Sequence, residues 1–533
     1  MNKTSLLSRD ITFSKFMVVV VIYLMVFDNV AFISKATEFY NNGLLDQLFL
    51  VSLLFLFGCL TLIVLSLLCY RYTTKPVIIT ILLVSSVTSY FMNNYQTIFN
   101  PSMLQSMLET NYSETRDLLS IKLVLYVLLL GVLPAWLVYK INIIYPHGLR
   151  GVWTRTKLVG ITLLSIVVIL FSFSDYYYSF FREHKTVRYY ANPGMYLFST
   201  AKILSDLTRT SHTELVKTGE DAKTPADDKH RELVIMVVGE TARHDHFSLN
   251  GYAKNTNPLL QQQNVFNLTN MWSCGTLTAI SVPCMFSKYS TDQYDKDQVR
   301  STENALDVLA HAGVNVLWRD NNSSSKGVAE RIETQDFRKA GTNPICDPEC
   351  RDIGMLKGLQ EYINSHPKGD IFIVLHQMGQ HGPAYYKRYP AEFEHFTPVC
   401  KTNHLESCSK EEIENAYDNA ILYTDYFLSE VINILKTNNA AFETAMFYIS
   451  DHGESLGENG IYLHGLPNFV APEAQRHVPA MLWLGESMDD VDRTALKSRQ
   501  DKKYSHDNVF HTILGLLEIE SAEYNPLLDI LKN

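Results

Sequence analysis

Metal-binding residue types stand just after three short apolar runs. Leu233 to Val238 is followed by Gly239 and Glu240, Ile371 to Leu375 by His376 and then His381, and Thr444 to Ser450 by Asp451, His452, Gly453 and Glu454. In an open α/β sheet, ligands bind beyond the carboxyl ends of the strands. Two carboxylates and an imidazole converging there would hold a divalent metal. Taken singly, each residue reads better as a helix cap or a surface histidine; their joint placement reverses that reading. A candidate nucleophile lies in Ser273-Cys274-Gly275-Thr276-Leu277-Thr278-Ala279. A threonine hydroxyl is weak at its free pKa and needs a base or a metal to react. If Thr278 opens a helix, the backbone N–H groups there favour a phosphate. Without the metal-binding residues, a capping threonine would be the better reading.

These residues need a scaffold. The runs Leu233 to Val238, Val314 to Trp318, Ile371 to Leu375, Thr444 to Ile449 and Ala480 to Leu484 alternate with helical stretches. This is the pattern of a mostly parallel sheet covered on both faces. One helix is clear: Ser409 and Glu412 form a capping box, and Ile413, Ala416, Ala420, Phe427, Val431 and Leu435 give it an apolar stripe. Pro283 restricts any helix after Thr278 to a short or kinked one.

The first third of the chain is different. Long uncharged runs centre on Phe16 to Phe32, Leu48 to Cys69, Pro76 to Met92, Leu123 to Val138 and Leu158 to Phe173. They lie near the roughly 20 residues that cross a bilayer, so five spans are expected. Lys3, Arg9, Lys15, Arg71, Lys75, Lys140, Arg150, Arg155 and Lys157 fall in alternate loops. That asymmetry places those loops in the cytoplasm and everything after about residue 178 outside. The expected organisation is therefore a five-helix transmembrane domain over 1–178, a bridging segment and linker over 179–231, and an external catalytic domain over 232–533. The aromatic and basic segment from Tyr176 to Tyr196 suits either the headgroup region or packing on the soluble domain. A formal net charge of −10, with no long basic run, argues against nucleic acid as a partner.

The cysteines agree with this topology. Cys59 and Cys69 sit in a membrane run, while Cys274, Cys284, Cys346, Cys350, Cys400 and Cys408 all follow it. Disulfides persist in oxidising compartments. Nearness pairs Cys274 with Cys284, Cys346 with Cys350 and Cys400 with Cys408, one of fifteen connectivities open to six cysteines.

The motifs Val237-Val238-Gly239-Glu240-Thr241-Ala242-Arg243, Ser273-Cys274-Gly275-Thr276 through Thr278-Ala279 to Pro283-Cys284-Met285-Phe286, and Ser450-Asp451-His452-Gly453-Glu454-Ser455 resemble the lipid A phosphoethanolamine transferases, the EptA and mobile colistin resistance (MCR) enzymes. Leu317-Trp318-Arg319-Asp320-Asn321-Asn322 and His376-Gln377-Met378-Gly379 through His381-Gly382-Pro383 do so too. The resemblance implies an alkaline-phosphatase-like α/β/α sandwich joined to an α-helical membrane domain, in the inner membrane of a Gram-negative bacterium with the catalytic part in the periplasm. It implies zinc (Zn2+), one ion with a second left open, held by Glu240, Thr278, Asp451 and His452. Thr278 is then the nucleophile, with Thr276 its rival. Asn322, Lys326, His381 and His464, and more weakly His376, would bind substrate phosphate or a second metal. Thr110 and Glu114 would meet the lipid headgroup, and Ser106 stands where the family has Asn. The implied donor is phosphatidylethanolamine, the acceptor lipid A, and the enzyme a monomer working at membrane lipid, with polymyxin and colistin resistance as the consequence. A phosphoglycerol transferase or a sulfatase on the same fold is the rival enzyme, but a sulfatase needs a C/S-x-P-x-R motif that is not present. A non-catalytic receptor is the rival outside enzymes, and the intact Glu240, Thr278, Asp451 and His452 argue against it.

A reporter active only outside the cytoplasm should work when fused after residue 180 and fail when fused near residues 73 or 148. Free thiols at the six later cysteines in a non-reducing peptide map would contradict both the pairing and the compartment.

Overall fold

The computed structural model describes residues 10–41, 43–109, 115–116, 118–184, 187–209, 214–225 and 230–532. It divides into two compact units, one of Met1–Gln105 and Leu119–Arg209 and the other of Ser106–Leu118 and Thr210–Asn533.

Among the described residues of the first unit, four helices are long and apolar enough to cross a membrane: Leu44–Leu68, Thr74–Tyr95, Ile121–Lys140 and Gly148–Ser172. The first expected span differs from the expectation of a single run. It is built as two helices, Phe13–Phe27 and Val30–Thr37, bent by 56°. Counting that pair as one broken span gives five. The break falls at Asp28 and Asn29, and its cause is a buried amide pair. Asn29 Nδ2 donates to Leu24 O at 2.9 Å and to Asn192 O at 2.6 Å, while its Oδ1 accepts from Asn192 N at 2.9 Å. Asn192 Nδ2 in turn donates to Ser85 O and Thr88 Oγ1, both at 3.1 Å. Away from water these backbone and side-chain groups need internal partners, and this network supplies them where the helix stops. The aromatic segment after the last span packs within this unit: Tyr177 bonds Ser52 at 3.0 Å, Tyr196 bonds Ser85 at 3.1 Å, and Phe180 is buried near Tyr40 and Phe49.

The second unit is an α/β/α sandwich around an eight-stranded sheet. Its strands are β1 (Glu232–Gly239), β2 (Phe266–Trp272), β3 (Asn315–Asp320), β4 (Glu333–Asp336), β5 (Ile371–His376), β6 (Glu443–Ser450), β7 (His477–Leu484) and β8 (Tyr504–Ser505). They lie in the order β8-β2-β7-β6-β1-β5-β3-β4. Only β7 runs against the rest, being antiparallel to both β6 and β2. Along β1, Val234, Met236 and Val238 enter one core with Trp318, Phe447 and Phe510, while Leu233, Ile235 and Val237 enter the other with Tyr417, Phe427 and Val431. Side chains alternate across a strand. A strand covered on both faces therefore reads as an unbroken apolar run, which is why the central strands were legible. β2, β4 and β8 were not anticipated: they lie toward the sheet edges, and β2 (FNLTNMW) alternates polar and apolar residues instead of forming a run. The helix Lys410–Asn438 carries the expected Ser409–Glu412 capping box and covers one face. The disulfides pair as Cys274–Cys284, Cys346–Cys350 and Cys400–Cys408.

Asn192→Leu strands the buried polar groups of Asn29, Ser85 and Thr88. It should lower the stability of the detergent-purified protein by about 2 kcal/mol, read as a reduced thermal-unfolding midpoint; an unchanged midpoint would mean the amide pair is incidental.

Candidate active site

Register brings the site together. β1, β6 and β5 are parallel neighbours, with Val238 opposite both Ile449 and His376 and Gly239 opposite Ser450, so their carboxyl ends are level. Glu240 follows the first, and Asp451 and His452 follow the second. All three side chains are fully buried, and one ligand atom from each lies within 4.8 Å of the others.

Local backbone fixes these donors. Thr241 sits in the left-handed region at φ 52°, an uncommon state for a β-branched residue that the surroundings must enforce. Its N–H donates to Asp451 Oδ1 at 3.2 Å and its carbonyl accepts from Tyr417 OH at 2.6 Å. Gly379, at φ 51°, lies against the Glu240 backbone, where an added Cβ would come within 2.8 Å of Glu240 O. Asn322 Nδ2 holds the Glu240 carboxylate from the side, donating to Oε2 at 2.6 Å and to Gln377 O at 2.8 Å.

Thr278 comes from the neighbouring layer. It is the first residue of the helix Thr278–Phe286, which the Cys274–Cys284 disulfide ties back to its entry loop. Its Oγ1 lies 3.2 Å from Glu240 Oε2 and 3.3 Å from His452 Nε2. Thr276 points elsewhere: its hydroxyl donates to Leu466 O at 2.6 Å. Asn468 Nδ2 donates to Cys274 O at 2.6 Å, so the stretch Leu466 to Asn468 grips the loop before Thr278 twice.

The electrostatics favour a bound cation. Burial, with the neighbouring His464, pulls the His452 pKa down to about 3, so its ring is neutral near pH 7. Its Nδ1 lies 2.9 Å from Gly453 O. A carbonyl can only accept, so Nδ1 carries the hydrogen and Nε2 presents a lone pair to Thr278, Glu240 and Asp451. Burial raises the Asp451 carboxyl above its ordinary value. Asp451 Oδ1 accepts Thr241 N and His452 N, but the buried Oδ2 has no hydrogen-bond partner and sits 3.3 Å from His452 Nε2. An orphaned carboxylate oxygen beside an imidazole lone pair and a second carboxylate is a donor set that fits zinc.

The other expected residues divide. His464 and His381 gather near the centre, the His464 ring 4.3 Å from that of His452 and 5.9 Å from that of His381. Burial, then Arg388, His464, His452 and Lys326, push the His381 pKa well down, so this imidazole is also neutral. His464 Nδ1 pairs with Glu454 Oε2 at 2.7 Å, and Tyr385 OH donates to Glu454 Oε1 at 2.7 Å. Lys326 is half-buried at φ 53°. His376 is engaged with Asp320: its Nδ1 bonds Asp320 Oδ2 at 3.2 Å, and Trp318 Nε1 donates to the same oxygen at 2.9 Å. Thr110 and Glu114 lie outside the described residues, while Ser106 is on the helix Pro101–Glu109.

The family comparisons are consistent with this geometry. Residues 57–207 match the model "Phosphoethanolamine transferase EptA/EptB", and residues 232–519 match the sulfatase family model. The phosphatidylethanolamine transferase Mcr-1 of Escherichia coli is 42% identical over 516 residues, covering 94% of each chain. The chain belongs to the EptA and MCR family of phosphoethanolamine transferases. EptA of Escherichia coli K12 is 40% identical across 88% of this chain and 87% of its own. The solved integral-membrane lipooligosaccharide phosphoethanolamine transferase A of Neisseria meningitidis superposes with a TM-score of 0.94 at 34% identity, covering 97% of this chain and 98% of that one. The fold expected from the resemblance is the fold observed: an alkaline-phosphatase-like α/β/α sandwich in one unit and membrane-length helices in the other.

Residues that support the site of this transferase also went unseen in the sequence. Asp352 is buried and accepts from Asn321 Nδ2 at 2.7 Å, Met378 N at 2.9 Å and Gly379 N at 3.1 Å, pinning the turn after β5. It lies in a long irregular stretch with no periodicity to single it out. Tyr385 and Tyr417 read as helix or loop aromatics, and only packing turns their hydroxyls to the site.

Glu240→Gln and Asp451→Asn should each lower bound metal at least tenfold after dialysis, measured by elemental mass spectrometry on purified protein, while Thr276→Val retains it. Full occupancy in both acidic variants would remove these residues from the ligand set.

Proposed function

We propose that the transferase moves phosphoethanolamine from phosphatidylethanolamine to a phosphate of lipid A through a phosphothreonine-type intermediate on Thr278. On this reading it is a zinc enzyme of a Gram-negative inner membrane, its catalytic unit in the periplasm. The observation that carries the reading is the placement of the Thr278 hydroxyl at a helix start, 3.2 Å from Glu240 and 3.3 Å from His452, in a chain 42% identical to a phosphatidylethanolamine transferase.

Glu240, Thr278, Asp451 and His452 would hold the zinc. Bound there, it would lower the pKa of the threonine hydroxyl and offset charge on the phosphoryl oxygens. The protein's own groups do the rest. Thr278 Oγ attacks phosphorus, a Thr278 O–P bond forms, and the bond from phosphorus to the diacylglycerol oxygen breaks. The hydroxyl proton faces Glu240 Oε2 and His452 Nε2, and the departing diacylglycerol oxygen takes a proton from His464, whose Nδ1 faces the Glu454 carboxylate; the neutral His381 is left to accept a proton on the acceptor side. In the second half an acceptor phosphate oxygen attacks the same phosphorus, the bond from phosphorus to Thr278 Oγ1 breaks, and Thr278 recovers its proton. Asn322, which already donates to Glu240, keeps that carboxylate in place. Lys326 and the helix start stabilise phosphoryl charge. Thr110 and Glu114 are assigned to the donor headgroup, and His376, bonded to Asp320 at 3.2 Å, takes a supporting part. His464, its Nδ1 paired with Glu454 Oε2 at 2.7 Å, is oriented for that proton transfer.

Addition of phosphoethanolamine puts an ammonium beside a lipid A phosphate. The attraction of polymyxin and colistin for that surface then falls, at about 1 kcal/mol for each basic residue near a strongly anionic surface.

Thr278→Ala should abolish transfer, by at least 10³-fold in line with loss of a covalent nucleophile, while membrane insertion and expression stay normal. Mass spectrometry of lipid A from expressing cells should show added phosphoethanolamine with the parent and none with the variant, and polymyxin tolerance should follow. Phosphoethanolamine on another envelope glycan, with lipid A untouched, would change the acceptor; an active Thr278→Ala with a dead Thr276→Ala would move the nucleophile.

A further inference from the structure

A second candidate site lies within the first unit. The start of the helix Phe13–Phe27, the end of Leu44–Leu68 and the start of Gly148–Ser172 enclose a cavity of about 270 Å³. That is room for roughly nine waters at ~30 Å³ each, the size of a small headgroup. Phe13, Tyr70, Arg71, Tyr145, His147 and Arg155 line it. The Arg155 guanidinium lies 4.2 Å from the centre of the Tyr70 ring and 4.8 Å from that of Phe13, and donates to Ser66 O at 3.2 Å. Arg155 is thereby held in one orientation by stacking, with further N–H groups left over. Arg71 is exposed and rests against the Tyr72 ring at 5.6 Å. Among the described residues neither arginine enters an ion pair, and no carboxylate lines the cavity. Two arginines, a histidine and two tyrosines around a small recess at the ends of membrane spans form a chemistry for a phosphodiester at headgroup depth. The apolar helix surfaces beside it suit acyl chains.

The geometry points to a binding site for an anionic diacylglycerophospholipid, gripped through its phosphodiester by Arg71 and Arg155, at the basic end of the membrane bundle. Its occupant differs in charge from the zwitterionic donor, and the site carries no part of the transfer reaction. It ties the bundle to the anionic leaflet at the end where Lys75, Lys140 and Arg150 also stand.

The test uses the full-length protein in nanodiscs of phosphatidylcholine with graded phosphatidylglycerol, with lipid released and counted by native mass spectrometry. Phosphatidylglycerol should be retained over phosphatidylcholine and phosphatidylethanolamine, and Arg71→Gln, an exposed change, should cut the preference about fivefold, the share of one basic residue at an anionic surface. Arg71→Gln with Arg155→Gln should remove the preference altogether. Lys140→Gln, outside the cavity, should leave it intact. No preference in the parent, an equal loss from Lys140→Gln, or full preference in the Arg71→Gln protein would overturn the assignment. Displacement of the lipid by millimolar inorganic phosphate would show a site for free phosphate and overturn it as well.

Discussion

Two carboxylates and an imidazole are buried together beyond the ends of two adjacent strands, and the rest of the catalytic unit is organised around that arrangement. Removing a carboxylate from water costs several kcal/mol unless something compensates. Glu240, Asp451 and His452 are each fully buried, and the compensation comes in layers. Backbone N–H groups of Thr241 and His452 satisfy one oxygen of Asp451, and Asn322 satisfies one of Glu240. The remaining Asp451 oxygen has no protein partner. A divalent cation there would convert an electrostatic liability into a binding energy, and the burial of these groups would then be balanced by the ion.

That balance depends on position, and position is fixed by parts with no chemistry of their own. Parallel pairing of β1 with β5 and β6 levels the strand ends. The left-handed Thr241 and the side-chain-free Gly379 let two backbones pass close behind Glu240. The disulfide from Cys274 to Cys284 closes the nucleophile loop on its helix, and hydrogen bonds to Cys274 O and from Thr276 fasten the loop after His464 onto it. The two threonines of the loop, two residues apart, thus receive opposite tasks: one hydroxyl is consumed by a carbonyl, the other faces the buried donors.

The membrane unit solves the same problem without a cation. Where its first helix breaks, Asn29 and Asn192 satisfy each other and the loose backbone around them. In both units a departure from regular structure is tolerated because a buried polar network pays for it.

The sequence by itself determined the division into a membrane part and an α/β part. Those signals depend on local composition: apolar runs of bilayer length, and apolar runs of strand length buried on both faces. It also determined the candidate donors Glu240, Asp451 and His452, since each stands directly after such a run, and the disulfide pairs, which are close in the chain. Tertiary structure alone decided the remainder. β4 and β8 are short edge strands and β2 is a polar strand next to an edge, and the pairing of β2 and β8 comes from neighbours distant in sequence. The break at Asp28 is completed by Asn192, 163 residues from Asn29, a separation no pattern reveals. Asp352, Tyr385 and Tyr417 become parts of the site through hydrogen bonds to turns brought in from elsewhere. Which of the Thr276 and Thr278 hydroxyls meets a carbonyl and which faces the buried donors follows from how the loop after His464 lies across theirs, a long-range contact that local residue types do not encode.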